Sequence, residues 1–312
     1  MAPELLERIM DKAVRDYRVL GVGLYNWTEP MIHPRLPELI RIVQTRGVPC
    51  SISTNLNLLR DADALLAAAP HVIYVSLSGL QPQTYAKWHR GGEIARVLEH
   101  LDQLVAAKRR AGVATQITLI FHRYRDNLAE EAQVVALAER LGLGFMAQWA
   151  QWLPLEKLLA WAGGGSAGTV LTGADRQTID GLALPPGPAL ALARSVTGVE
   201  CALRHDQIVL DCRGDLQLCC AVFDAARYGL GSFLDLAPRD IRRLKAGHPA
   251  CVECGRVGAS AYYTYAVDGF DALARAHVAQ QDQGENMTTQ EQPTPSLMQK
   301  VPAATAPGSE RG

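Results

Sequence analysis

The sequence predicts an α/β fold in two unequal parts: a front part built on a parallel sheet and a small cysteine-rich back part. Three observations carry this. From Val19 to Trp161, short apolar runs rich in strand formers alternate with segments of helical periodicity. Gly- and Pro-rich stretches at 163–168 and 185–188 then interrupt the pattern and read as flexible joints. Beyond them, six of the seven cysteines of the 312-residue chain fall between 201 and 254.

The elements follow in order. The N-terminus, MAPELLERIMDKAVRDY, mixes charge and hydrophobe as an amphipathic helix over Leu5 to Tyr17. VLGVGLYN (19–26) is the first strand, and Pro34 to Thr45 is a helix with Leu36, Leu39, Ile40 and Val43 on one face. VPCSISTN (48–55) is the second strand, and Cys50 within it is most simply a buried single cysteine. Asp61 caps a helix that runs to Ala69, and HVIYVSLS (71–78) is the third strand. Glu93 to Ala111 is a long helix, and ATQITLIFH (114–122) is the fourth strand. Asn127 caps the next helix, GFMAQW (144–149) is the fifth strand, and Gln151 to Trp161 is helical. Strands separated by helices of this length form right-handed βαβ units, in an open doubly wound sheet or a barrel.

Polar residues at the strand ends favour the barrel, in which the C-terminal ends of the strands carry the chemistry. The strands end in Tyr25-Asn26-Trp27-Thr28-Glu29, Ser53-Thr54-Asn55, Ser76-Leu77-Ser78, His122-Arg123 and Gln148-Trp149. Side chains alternate along a strand, so Ser51, Ser53 and Asn55 share one face, as do Tyr74, Ser76 and Ser78. A rim of hydroxyls, amides and one carboxylate suits a ligand with an amino-acid head and a ribose.

The back part points to a metal. Cys201 is followed by twelve residues, Gly214, four residues and Cys219; the CxxC pair Cys251 and Cys254 comes later. Gly214 allows a sharp turn between the first two. Thiolates on three separate segments converge naturally on one soft centre, iron–sulfur or zinc. Disulfides need an oxidising compartment. The N-terminus has no signal-peptide core and no stretch approaches a membrane span, so the cytoplasm is expected. The formal charge of −1 gives no reason to expect nucleic acid or an anionic membrane as a partner. After about residue 277 the chain is rich in Gln, Thr, Pro, Ser and Ala and reads as a disordered tail.

On these residues the chain resembles a radical S-adenosylmethionine (SAM) enzyme with a C-terminal auxiliary-cluster domain. LYNWTEPMIHPRLPELI is similar to the segment whose Gly-Gly-Glu-Pro motif binds the amino group of SAM; Trp27 and Thr28 replace the glycines, while Glu29 and Pro30 stand. SISTN resembles the segment that reaches SAM, with Ser53 and Asn55 matching. VSLSG followed by QTYAKWHRGG resembles the segment whose serine, matching Ser76, approaches the ribose. The resemblance thus implies Thr28, Glu29, Ser53, Asn55 and Ser76 as cofactor-binding residues. FHRYRDNLAEE resembles the next strand and helix, and His122 and Arg123 are the candidates for contact with substrate.

The back part resembles SPASM and twitch domains, which share a cysteine, nine to fifteen residues, a glycine, four residues and a cysteine. Cys201, Cys219, Cys251 and Cys254 would hold one auxiliary 4Fe–4S cluster, the twitch arrangement, with Cys212 and Cys220 outside the pattern. The implied fold is a partial (β/α)6 TIM-like barrel missing its first strand, followed by a small α+β cluster domain. The expected division is a barrel over 1–160, a connecting segment over 161–198, a cluster domain over 199–265, and a helix end with a tail over 266–312.

The family's SAM cluster is held by a CxxxCxxC loop that would precede this segment, and the sequence contains no such triplet. The expectation is therefore a longer gene product, with a degenerate, catalytically silent relative as the alternative. Without a first strand, the edge at 19–26 is expected to make the chain self-associate. The implied chemistry is oxidoreductive: SAM is cleaved reductively, a substrate hydrogen is abstracted, and the auxiliary cluster passes an electron. It implies a peptide or small-molecule substrate and a reductase or ferredoxin-type electron donor. Two rivals are a non-catalytic iron–sulfur or zinc protein acting as a partner subunit, and a metabolic enzyme with a zinc-stapled tail.

Overall fold

The apolar runs of the front part become one parallel sheet in chain order: β1 (Val22–Gly23), β2 (Cys50–Thr54), β3 (Val72–Leu77), β4 (Gln116–Arg123) and β5 (Gly144–Trp149). Between and before them lie α1 (Pro3–Asp16), α2 (Leu36–Gln44), α3 (Ala62–Ala67), α4 (Pro82–Trp88), α5 (Ile94–Ala111) and α6 (Glu131–Leu141). This is a computed structural model; it describes residues 1–163, 171–195 and 200–290, with side chains to residue 280. The arrangement is the partial barrel expected from the strand–helix alternation.

Alternation decides the two faces of the sheet. Ile52, Val75, Leu77, Leu119 and Phe121 are buried against Leu39, Val43, Leu66, Leu101, Leu104 and Val134 of the covering helices. Ser51, Ser53, Tyr74, Ser76, Thr118, Ile120 and His122 are only half-buried on the other face. The register aligns Ser53 with Tyr74 and Thr118, and Ser76 with Ile120 and Met146. One face is therefore dry and apolar, the other polar and partly open.

After β5 the chain forms α7 (Leu155–Trp161), α8 (Gly173–Asp180), α9 (Pro186–Ser195) and α10 (Ala202–His205). A small antiparallel sheet follows, β6 (Val209–Leu210), β7 (Asp215–Gln217) and β8 (Gly229–Ser232), with α11 (Ala225–Tyr228) inserted before β8. Then come α12 (Pro238–Ala246), α13 (Pro249–Arg256), α14 (Ala259–Tyr263) and α15 (Phe270–Gln290). A second core gathers Trp149, Trp152, Leu158, Leu184, Leu190, Leu218, Tyr262 and Phe270.

Several expectations are corrected. The first strand shrinks from 19–26 to Val22–Gly23, because the chain beyond Leu24 turns away to form the loop that carries Tyr25, Trp27 and Glu29. Asn127 is no side-chain cap: it is buried, and its Nδ2 donates to the carbonyls of Ser78 and His122, at 3.0 and 2.8 Å. α7 begins at Leu155 instead of Gln151, since Pro154 disfavours helical geometry at Leu153. The Pro-rich stretch at 185–188 is no loose joint; Pro186 opens α9, where a missing N–H costs nothing. The tail reading fails over 278–290, which continue α15, while 291–312 lie outside the described residues. The glycine-rich stretch lies outside them too, from residue 164 on.

α1 joins the two parts. Its Leu6 and Met10 enter the front core, and its Ile9 packs with Leu216, Phe233 and Ile241 beside the small sheet. Gly214 sits in the β6–β7 turn with φ +84°, and a Cβ there would lie 3.1 Å from the Cδ1 of Ile9. No helix among the described residues is long and apolar enough to cross a membrane.

Candidate functional site

The polar face of the sheet is closed at one end by the loop after β1. The carboxylate of Glu29 accepts from the backbone N–H of Met31 at 3.0 Å and of Asn55 at 2.9 Å. The first bond caps the 3-10 turn Pro30–Ile32, and the second ties this loop to the end of β2. An ionised carboxylate has about four acceptor positions. Glu29 therefore keeps capacity for a cationic ligand group while being held rigidly. Asn55 is turned locally: its Oδ1 accepts from the N–H of Asn57 at 3.0 Å. Ser53 and Ser76 stand half-buried on the open face, and Thr28 is exposed on the loop. The structure thus brings Glu29 and Asn55 into contact and places Ser53 and Ser76 on the same sheet face.

Beyond Asn55 runs a polar network that sequence reasoning did not single out. Asn57 Nδ2 donates to the Tyr85 hydroxyl at 2.8 Å, and the Tyr85 ring stacks on His89 at 4.4 Å. The Nε2 of His89 is 3.0 Å from the Ser78 Oγ. Burial pushes His122 down to about 4, opposed by a hydrogen bond with the Leu77 backbone. Burial pushes His89 down to about 4 as well, with His122 adding to the effect. Both imidazoles are neutral near pH 7. Only the aromatic at position 85 and the histidine at 89, one turn apart, hinted at this network.

Arg123 is differently placed. Its guanidinium forms a two-pronged pair with Glu131 at 2.7 and 2.6 Å and lies 5.0 Å over the Trp149 ring. These contacts fasten β4 to α6 and β5. Trp152 is fully buried core, its N–H bonded to the Tyr262 hydroxyl at 3.0 Å.

In the back part the four patterned cysteines converge. Cys201 precedes α10, and the β6–β7 hairpin then reverses at Gly214, so that the chain after β7 brings Cys219 back beside it. Cys251 and Cys254 lie three apart on α13 and share a face. All four thiols line one cavity of about 330 Å³, together with Leu155, Glu200, Leu203, Arg204 and Tyr263. Among the described residues no three His, Cys, Asp or Glu side chains form a ready site for a single metal ion. Four thiols around one cavity are the donor set of an iron–sulfur cluster or of a tetrahedral zinc site.

Burial pushes Cys219 up to about 12 and raises Cys251 and Cys254, with the neighbouring thiolates reinforcing each shift. Left to themselves these groups are neutral thiols; ionised together as ligands they would need a compensating cation. The residues present therefore fit a four-thiolate iron–sulfur centre. Cys220 points elsewhere, toward Gln207, and Cys212 is exposed in the hairpin turn.

The two regions meet. The indole Nε1 of Trp27 donates to the carbonyl of Val222 at 2.7 Å, and its ring meets Phe223 edge-on at 5.3 Å. Glu156 holds the same loop by accepting from the N–H groups of Phe223 and Asp224, at 3.1 and 3.0 Å. Burial raises Tyr25, opposed by its hydrogen bond with Ser51, and Cys220 lies near enough to act on it.

The family model described as Radical SAM superfamily matches residues 1–134, which hold the loop of Glu29 and strands β1 to β4. Residues 1–134 are a radical SAM domain. A GTP 3',8-cyclase of Chlorobaculum tepidum is 33% identical to the chain over 92 residues, covering 28% of this chain and 28% of the cyclase. SuiB of Streptococcus suis bound to S-adenosylmethionine superposes with a TM-score of 0.51 at 13% identity, covering 83% of this chain and 64% of SuiB. SuiB bound to its precursor peptide SuiA gives 0.51 at 11% identity, covering 82% and 60%. The chain thus spans less than two thirds of these relatives. At such identities the SuiB likeness speaks for the fold alone, and it extends beyond the radical SAM domain into the back part.

Proposed function

We propose that the chain binds SAM on the open face of its radical SAM domain and carries an auxiliary 4Fe–4S cluster on Cys201, Cys219, Cys251 and Cys254. The observation that carries this reading is the cavity lined by all four patterned thiols, one loop away from the loop of Glu29. The substrate class it supports best is a peptide or a sugar-like alcohol undergoing oxidation. A half-open face ending in exposed Tyr25, Trp27 and Phe223 suits a bulky, partly apolar substrate. SuiB, which shares the fold, is seen with a precursor peptide.

The chain's own residues have assignable parts. Glu29, pinned by two backbone N–H groups, would accept from the SAM ammonium; such charge-assisted bonds are the stronger kind. Ser53 and Ser76 would meet the carboxylate and ribose from one sheet face. A four-thiolate cluster, when bound, supplies one-electron transfer at a potential set by its surroundings. The radical-generating cluster of the superfamily needs three further cysteines in CxxxCxxC spacing. The seven cysteines of the sequence include no such triplet, so the residues present do not supply that centre.

A second reading is a non-catalytic iron–sulfur protein that keeps the four-thiol cavity and acts as a partner subunit without using SAM. Isothermal titration with SAM, alongside iron and sulfide analysis of the anaerobically reconstituted chain, tests both. The first reading expects one cluster per chain, and Glu29→Gln should weaken SAM by roughly tenfold to a hundredfold, about 1.5–3 kcal/mol. A chain that takes up the cluster but shows no SAM binding would leave the partner reading standing alone. A colourless chain with one tightly held zinc would overturn the cluster itself.

A further inference from the structure

α12 buries a charge close to the thiol cavity. Lys245 follows Ile241 by one helical turn, and both side chains face inward; Lys245 is 2% exposed. Its Nζ donates to the carbonyls of Leu203 at 3.2 Å and Gln207 at 2.6 Å. Both acceptors are uncharged, and among the described residues no carboxylate pairs with it. An ammonium buried without a counter-charge is costly, and an anionic neighbour would offset that cost. Leu203, which takes one of its hydrogen bonds, lines the cavity of the four cysteines. Cys201, Cys219, Cys220 and Cys251 all lie near enough to act electrostatically on the lysine. Arg204, the other cation on the cavity wall, is half-buried and bonded to His205. Lys245 is therefore the most deeply placed positive charge at the site.

We propose that Lys245 is the internal counter-ion of the auxiliary cluster and holds its reduction potential up. The inference rests on the cluster reading given above. A 4Fe–4S centre held by four thiolates carries net negative charge. One-electron reduction, by dithionite or a ferredoxin-type donor, adds one further negative charge and no proton. A fixed cation in a low-dielectric surrounding stabilises the more negative, reduced form. Lys245 thus acts through the cluster, as a positioning residue for its electrostatics.

The test is an EPR-monitored redox titration of the reconstituted full chain, wild type against Lys245→Gln, Lys245→Met and Lys245→Arg. Iron, sulfide and thermal melts are measured on each. Loss of the charge should disfavour reduction at least tenfold in the two neutral variants, a fall of about 59 mV or more for a one-electron couple. Lys245→Arg should restore most of it. Equal potentials in wild type and both neutral variants would overturn the inference while leaving the cluster in place. Loss of the cluster from the neutral variants but not from Lys245→Arg would support it, since charge is what the two sets differ in. Loss from all three variants, with the wild type loaded, would make Lys245 a strut for residues 203–207 and overturn it. A wild type that takes up no iron and sulfide would fail the cluster reading itself, and that failure is visible before any variant is made.

Discussion

The indole of Trp27 and the carbonyl of Val222 share a hydrogen bond of 2.7 Å, although 195 residues separate them in the chain. Trp27 stands two residues before Glu29, and Val222 stands three residues after Cys219. One bond therefore connects the loop of Glu29 to the loop of the thiol cavity. Removing the donor in Trp27→Phe should cost about 0.5–1.5 kcal/mol. Trp27→Ala should cost more, by a further amount of about 0.5–1.5 kcal/mol for the lost edge contact with Phe223. Thermal melts of the two variants check this ordering; identical melting curves would show that the contact carries no stability.

The cysteines divide by position. Cys219→Ala should lower iron and sulfide to well under the wild-type value. The double variant with Cys220→Ala should fall at least as far, because Cys220 is the nearest thiol that could substitute. Cys212→Ala should leave both unchanged, since Cys212 is exposed in the hairpin turn. Cluster loss on changing Cys212 would show that the hairpin folds back onto the cavity.

His89 and His122 make the front part acid-sensitive. Both are pushed down to about 4 from an ordinary value near 6.5. The unfolded chain takes up protons as pH falls through 6.5, and the folded chain resists until about 4. Stability is therefore full above 6.5 and declines as pH drops toward 4. The linkage is worth on the order of 3 kcal/mol per histidine before coupling between them. Melts at pH 7.5, 6 and 5 should show the decline, and a His89→Gln/His122→Gln double variant should flatten it. A wild type equally stable at pH 5 and 7.5 would count against buried neutral imidazoles.

Gly214→Ala meets two obstacles at once. Its φ of +84° disfavours any Cβ, and that Cβ would crowd Ile9. A left-handed residue other than glycine costs on the order of 1–2 kcal/mol. The melting temperature should fall, and the return of the chain to Cys219 should loosen, which would show as lower iron content. An unchanged melt would mean that the turn relaxes without penalty.

The sheet was legible because its signal is local. Each of β2 to β5 was expected within two or three residues of its place, since alternation and β-branched content mark a strand directly. Asp61 capping α3 was legible for the same reason. The convergence of four cysteines was legible from spacing alone. What escaped was set by distant partners. Asn127 looked like a cap, yet its amide is spent on two carbonyls brought to it by the sheet. Arg123 reads from sequence as a candidate for substrate contact, yet Glu131 and Trp149 engage it. Glu130 and Glu156 look like surface acids, but each accepts from the backbone N–H groups of a loop far along the chain. Lys245 left one trace, a lysine one helical turn after Ile241. Only the fold shows that both are buried.

α1 has its largest consequence while the protein is being made. Leu6 and Met10 find their neighbours as soon as α2 and the first strands have left the ribosome, but Ile9 must wait for Leu216, Phe233 and Ile241. Until residues 216–241 have been made, one side of that helix remains a sticky, unfinished surface. Closing it joins segments more than 200 residues apart, the kind of long-range contact that forms slowly. Cys251 and Cys254 are made later still, so the thiol cavity cannot be completed before the small sheet has been synthesised. Iron delivered during translation would therefore meet scattered cysteines, and iron delivered after release would meet a finished cage.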